Sequence, residues 1–193
     1  MKFCSAVIAL VATTLATVVV AESRNITTPA VQDATILRSS TTCAECPESD
    51  CNKCALGRNN TLVASTGVSY YQALVGFHMP VAAFQVKSCS VQIPAMLRND
   101  KTINVIISQA GTASWSEDTV NSGNAPNFGN VIASVQLPPY NNLGPVDVTT
   151  ACRSAIEGEF SLYFAAGTER YEFWSRDSGN PALLHITTND NDE

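Results

Sequence analysis

The sequence predicts an all-β protein: a two-sheet antiparallel jelly-roll β-sandwich with one short helix, stabilised by disulfides. Three observations carry this. Short stretches of apolar residues recur with a period of two. The connections between them are rich in Gly, Pro and Asn, and almost none reads as a helix. The chain holds 7 cysteines, of which six follow the first twenty residues.

The elements follow in order. Lys2, an apolar run over residues 3–20 and the small residues around Ala21 form a secretory signal peptide spanning residues 1–21. The run is long enough for a membrane anchor, but it is rich in Ala and Thr and ends in a cleavage pattern. Cleavage leaves 172 of the 193 residues, enough for one domain over residues 31–188. Residues 22–30 are polar and read as a flexible N-terminal tail. Residues 189–193 read as a frayed acidic C-terminal tail. No second long apolar run follows, so the product is expected outside the cell or in its wall, with no membrane span after cleavage.

Strands are expected at residues 33–37, 70–79, 86–93, 102–108, 130–137, 159–164, 171–175 and 182–187. The alternation places Cys89, Val91 and Ile93 on one face, and likewise Val131, Ala133, Val135 and Leu137. Residues 149–156 form the short helix, stopped at Gly158.

Net charge is −6, and −7 once Lys2 is removed with the leader. An acidic, aromatic-poor chain argues against nucleic acid and anionic membranes as partners. Cys43, Cys46, Cys51 and Cys54 fall within twelve residues. Two C-x-x-C pairs could ligate zinc, but secretion and the short spacer favour two local disulfides. Nested pairing, Cys43 with Cys54 and Cys46 with Cys51, would clamp a hairpin-like loop; three pairings are open. Cys89 and Cys152 are left for each other. Asn25 and Asn59 head N-glycosylation sequons, which makes a glycoprotein an expectation.

His78 and His185 share no motif with a nucleophile, so nucleophilic hydrolysis has little support. Glu117, Asp118, Glu157, Glu159 and Glu172 are the carboxylates a glycosidase would draw on, but no acid/base pair stands out. No catalytic residue is therefore assigned, and the protein is expected not to be an enzyme. Aromatic rings can stack on the apolar face of a sugar. If Phe173 points inward, Trp174 points outward. Tyr140 sits in the Pro138–Pro139 loop. Trp174, Tyr140, Tyr71, Arg176 and Trp115 are the candidate ligand-binding residues. Asp33, Asp147 and Asp177 are weak oxygen donors for a structural calcium ion.

An ordered set of short motifs carries a resemblance. It runs through Asp33-Ala34-Thr35-Ile36-Leu37-Arg38, Gly57, Leu62-Val63-Ala64 and Ala73-Leu74-Val75-Gly76-Phe77. It continues through residues 86–93, Trp115-Ser116-Glu117 with Asn124-Ala125-Pro126, Asp147-Val148-Thr149 and Ser175-Arg176-Asp177. Over residues 31–188 the chain resembles DNRLRE-type domains, also described as carbohydrate-binding module family 96. The resemblance implies a secreted jelly roll that binds polysaccharide. Members often carry Arg and Asp flanking the Phe of the second core strand, where this chain has Gly76 and His78. It also leaves Trp115 a structural reading, the ring filling the sandwich edge while Glu117 and Asn124 satisfy loop amides. The expected function is non-catalytic binding of cell-wall or extracellular-matrix glycans. The alternatives are a structural or adhesive surface protein that binds proteins, and a polysaccharide-degrading enzyme.

Overall fold

The computed structural model describes residues 23–38, 43, 46, 49–68, 70–98 and 100–189. The expected signal peptide, and all of the C-terminal tail beyond residue 189, lie outside the described residues.

Among the described residues, twelve strands form three antiparallel sheets. β2 (Gln32–Leu37), β4 (Tyr71–His78), β10 (Glu159–Ala166), β7 (Ile103–Ala110) and β8 (Phe128–Leu137) make a five-stranded sheet, in that order. β1 (Asn25–Pro29), β12 (Leu183–Thr188), β5 (Val86–Ile93) and β9 (Leu143–Asp147) make a second. β3 (Thr61–Ala64), β11 (Tyr171–Trp174) and β6 (Met96–Arg98) make a third. The sandwich is thus all-β as expected, but one of its two layers is split into two smaller sheets.

All three sheets turn an apolar face into one core. Val75, Phe77, Ile103, Val105, Ile107, Leu162 and Phe164 come from the large sheet; Val91, Ile93, Leu184 and Ile186 come from the second; Leu62, Tyr171 and Phe173 come from the third. Phe77 and Phe160 stack at 5.5 Å between ring centres. The Cys89–Cys152 bridge, with Cα atoms 6.4 Å apart, ties β5 to α1 (Thr149–Arg153) inside this core. Asp147, just before the Val148 N-cap of α1, accepts the Thr149 N–H at 2.8 Å.

Three expectations need correction. Residues 25–29 are not part of a free tail: they pair with β12 from Asn25↔Thr187 to Pro29↔Leu183. Their polar residues conceal the strand because only Ile26 reaches the core. Val131 does not join Ala133 and Val135. A bulge between Ile107 and Ser108 inserts one residue into β8, flips its facing and leaves Val131 63% exposed. The helix stops at Arg153, and Ile156 and Glu159 close a hairpin into β10.

The outer face of the large sheet carries a second small core. Ala34, Ile36, Leu74, Ala110, Val120 and Tyr163 form it, and Trp115 and Ala125 pack on it from the loop 111–127. That loop lies over the sheet as a cover. Tyr163 pins it by donating its hydroxyl to the Pro126 carbonyl at 2.7 Å. The clustered cysteines pair Cys43–Cys51 and Cys46–Cys54, a crossed rather than nested arrangement. This knot rests on the cover: Ser122 Oγ bonds Asn52 Oδ1 at 2.9 Å and the Cys51 carbonyl at 3.4 Å.

Candidate functional site

The motifs that are scattered in sequence meet in one place. Asp33 on β2 accepts the Arg176 N–H at 2.7 Å. Arg176 sits in the 3₁₀ turn after β11 and donates to both oxygens of Glu117, with Nη2–Oε2 at 2.7 Å. Glu117 in the cover also accepts the Asp33 N–H at 3.2 Å, and Arg58 Nη1 lies 3.4 Å from it. Gly57 is obligatory here, since a Cβ would fall on the carbonyl oxygen of Glu117. Arg176 and Arg58 also approach Asp177, at 3.3 and 3.8 Å. Burial pushes the Asp33 carboxyl up to about 7, opposed by its bond from Arg176 and reinforced by Glu117. Asp33 is sealed beneath the cover at 1% exposure. The network is therefore a clamp that locks the cover to the sandwich, with Asp33 and Glu117 buried at its centre and Arg58 and Asp118 exposed at its rim.

The reachable surface lies beside it. Two clefts of about 360 and 530 Å³ flank Ala113 and Ser114 and share Glu159 and Phe160. The first runs toward Gln109, Ser154 and Glu157, the second toward Val31, Gln32 and Trp115. The sequence builds this groove from the start of β10, the end of β7, the start of β2 and the head of the cover. Trp115 is fixed there by its indole N–H, which donates to Ser161 Oγ at 2.9 Å. Gly76 makes room for Gln32, since a Cβ would meet the Gln32 Cγ at 2.6 Å. Gln32 Nε2 donates to the Ala113 carbonyl at 3.3 Å, and Gln109 Nε2 to Ser154 Oγ at 2.8 Å. Glu157 and Gly158, with φ of 53° and 80°, form a two-residue turn closed by paired bonds between Ile156 and Glu159. This is the slot where Asn or Asp before Gly is cheapest. A Glu there costs roughly 1 kcal/mol.

Of the expected ligand residues, only Trp115 lines these clefts. Trp174 is half-buried on β11; its backbone N–H donates to the Ala95 carbonyl at 3.4 Å. Tyr140 is 86% exposed with φ of 63°. Tyr71 packs on the cysteine knot beneath the Arg170 guanidinium, 5.5 Å from the ring centre. Arg176 is committed to Glu117. The calcium candidates do not converge: Asp33 and Asp177 belong to the clamp, while Asp147 bonds the Thr149 N–H ahead of α1. Among the described residues, no three His, Cys, Asp or Glu side chains are placed to hold a metal. Asn25 and Asn59 are both exposed. Sequence reasoning missed Gln32, Gln109 and Ser154, and read Glu157 and Glu159 only as possible catalytic acids. Glu157-Gly158 before a strand was the one local signal, as a hairpin turn with an unexpected first residue.

Residues 49–188 match the model of carbohydrate-binding module family 96. The chain belongs to this family. It is also 49% identical over 160 residues to an uncharacterized secreted protein of Arthroderma benhamiae, covering 81% of this chain and 82% of that protein. The family match takes in Gly57, Glu117, Arg176 and both clefts, except for the Val31 and Gln32 end contributed by β2. The family is one of carbohydrate-binding modules. Among the described residues, no helix is long and apolar enough to cross a membrane.

Proposed function

We propose that the protein is a secreted, non-catalytic polysaccharide-binding protein of cell-wall or extracellular-matrix glycans, and that the paired clefts beside Ala113 and Ser114 hold the glycan. The observation that carries this is the meeting of a fixed indole, polar side chains and two adjoining clefts on a family-96 scaffold. Carbohydrate sites combine an apolar ring surface with a few placed polar groups. The protein is secreted, as its relative is named. Its three disulfides suit an oxidising compartment. Binding without catalysis fits the carboxylates. A general acid needs burial or a like charge to keep its proton at neutral pH. Glu159 is 59% exposed, with the His78 imidazole at 3.9 Å. Asp33, the carboxyl that burial does raise, is out of a substrate's reach.

The test is retention on a panel of insoluble polysaccharides. Ser114→Arg, which fills the shared part of both clefts, abolishes retention, while Trp174→Ala keeps it. The reverse result moves the site to Trp174. Retention on none of the panel removes the carbohydrate reading, and release of reducing ends removes the non-catalytic one.

A further inference from the structure

The charge of the paired clefts is one-sided. Their described lining holds two ionisable carboxylates, Glu157 and Glu159, and neither Lys nor Arg. His78, at the end of β4, lies 3.9 Å from Glu159 and is itself 53% exposed. Gln32 and Gln109 each give one amide N–H to the protein, which orients the amides and leaves each its oxygen and one further N–H. The whole chain adds to this field with its net charge of −6. A polyuronate would meet like charge at both carboxylates, with no Lys or Arg in the lining to receive it. A neutral glycan would leave both carboxylates without a matching charge. A cationic glycan would use both.

We propose that the clefts select a polysaccharide of amino sugars carrying free ammonium groups, with Glu157 and Glu159 as the selecting carboxylates and Trp115 as the ring against which a sugar unit lies. This rests on the reading of the clefts as the glycan site. Glu157 also occupies a left-handed turn position that Asn would fill at lower cost, so the side chain held there is a carboxylate at the expense of turn stability.

The experiment is calorimetric titration at mildly acidic pH with three probes of equal length: a glucosamine oligomer, its fully N-acetylated counterpart and a uronate oligomer. The glucosamine oligomer binds at least ~tenfold more tightly than the acetylated one, and added salt erodes that preference. Glu157→Gln with Glu159→Gln, both isosteric and exposed, brings the two probes to equal affinity. Glu157→Asn raises the melting temperature while weakening glucosamine binding, an opposition that a purely structural role would not produce. Equal affinity of the native protein for the amino and acetylated oligomers overturns this inference but leaves the glycan reading standing. Tightest binding of the uronate overturns it as well. Failure to bind any glycan in this titration and in the retention panel overturns both.

Discussion

Replacing Asp33 by Asn removes the ionisable group of the clamp while keeping an oxygen that can accept the Arg176 N–H. Folding raises the Asp33 carboxyl from 3.8 to about 7, chiefly by burial. The sign follows directly. Below about pH 4 the group is protonated folded or unfolded, and its contribution is intact. Between about 4 and 7 the folded chain holds a proton that the unfolded chain has released, so stability falls as pH rises. Above about 7 both states are ionised and the loss is complete. At about 1.36 kcal/mol per unit, the ceiling on that loss is about 4 kcal/mol. Asp33→Asn abolishes this slope, so its stability relative to the native protein improves by up to ~3 kcal/mol between pH 4.5 and pH 8, the part of the span below pH 4.5 being already lost. Urea unfolding followed by tryptophan emission at both pH values, with disulfides intact, measures it. A variant that loses more stability at pH 8 than at pH 4.5 refutes the reasoning. It would mean that Asp33 is ionised and that its charge holds Arg176.

Other perturbations test the packing. Gly57→Ala drives a methyl group into the Glu117 carbonyl and lowers stability by about 1–3 kcal/mol in thermal unfolding, whereas Gly144→Ala, with open space around it, costs under about 1 kcal/mol. Removing both Cys89 and Cys152 opens a 63-residue loop and costs about 4 kcal/mol in denaturant unfolding, measured against the same protein with the bridge closed. Asp33, Asp147 and Asp177 already bind groups of the protein, so a calcium chelator leaves the melting temperature unchanged. A fall of more than about 4 °C would reveal a bound ion.

The strands with strict alternation, β5, β7, β10 and β12, were legible because each puts one apolar face on the core. β1 was not, since Asn25-Ile26-Thr27-Thr28-Pro29 gains its strand character from the edge of β12 rather than from its own apolarity. β9 contains Gly144 and Pro145, which read as a turn and are tolerated because the strand lies at a sheet edge. The bulge in β8 changes facing without changing composition. The motif residues were legible as a set, but not their meeting: Asp33 and Arg176 are 143 residues apart, and only the fold brings them together. Trp115 was visible as a marked residue. The clefts around it were not, because four separate segments build them and none carries a motif for the whole. Exposed rings such as Tyr140 attracted attention through alternation and loop position, which report exposure but not concavity.

The account stands or falls on Trp115 at the glycan. The chain has 2 tryptophans, so Trp174→Phe leaves Trp115 as the single indole. Titrating this variant with a soluble oligomer of whichever polysaccharide retains the native protein gives the deciding measurement. With the glycan on Trp115, its emission shifts and saturates with the Kd obtained by calorimetry, and Ser114→Arg in the same background abolishes the shift. Saturable binding in calorimetry with Trp115 emission unmoved, or loss of all binding on Trp174→Phe alone, would contradict it.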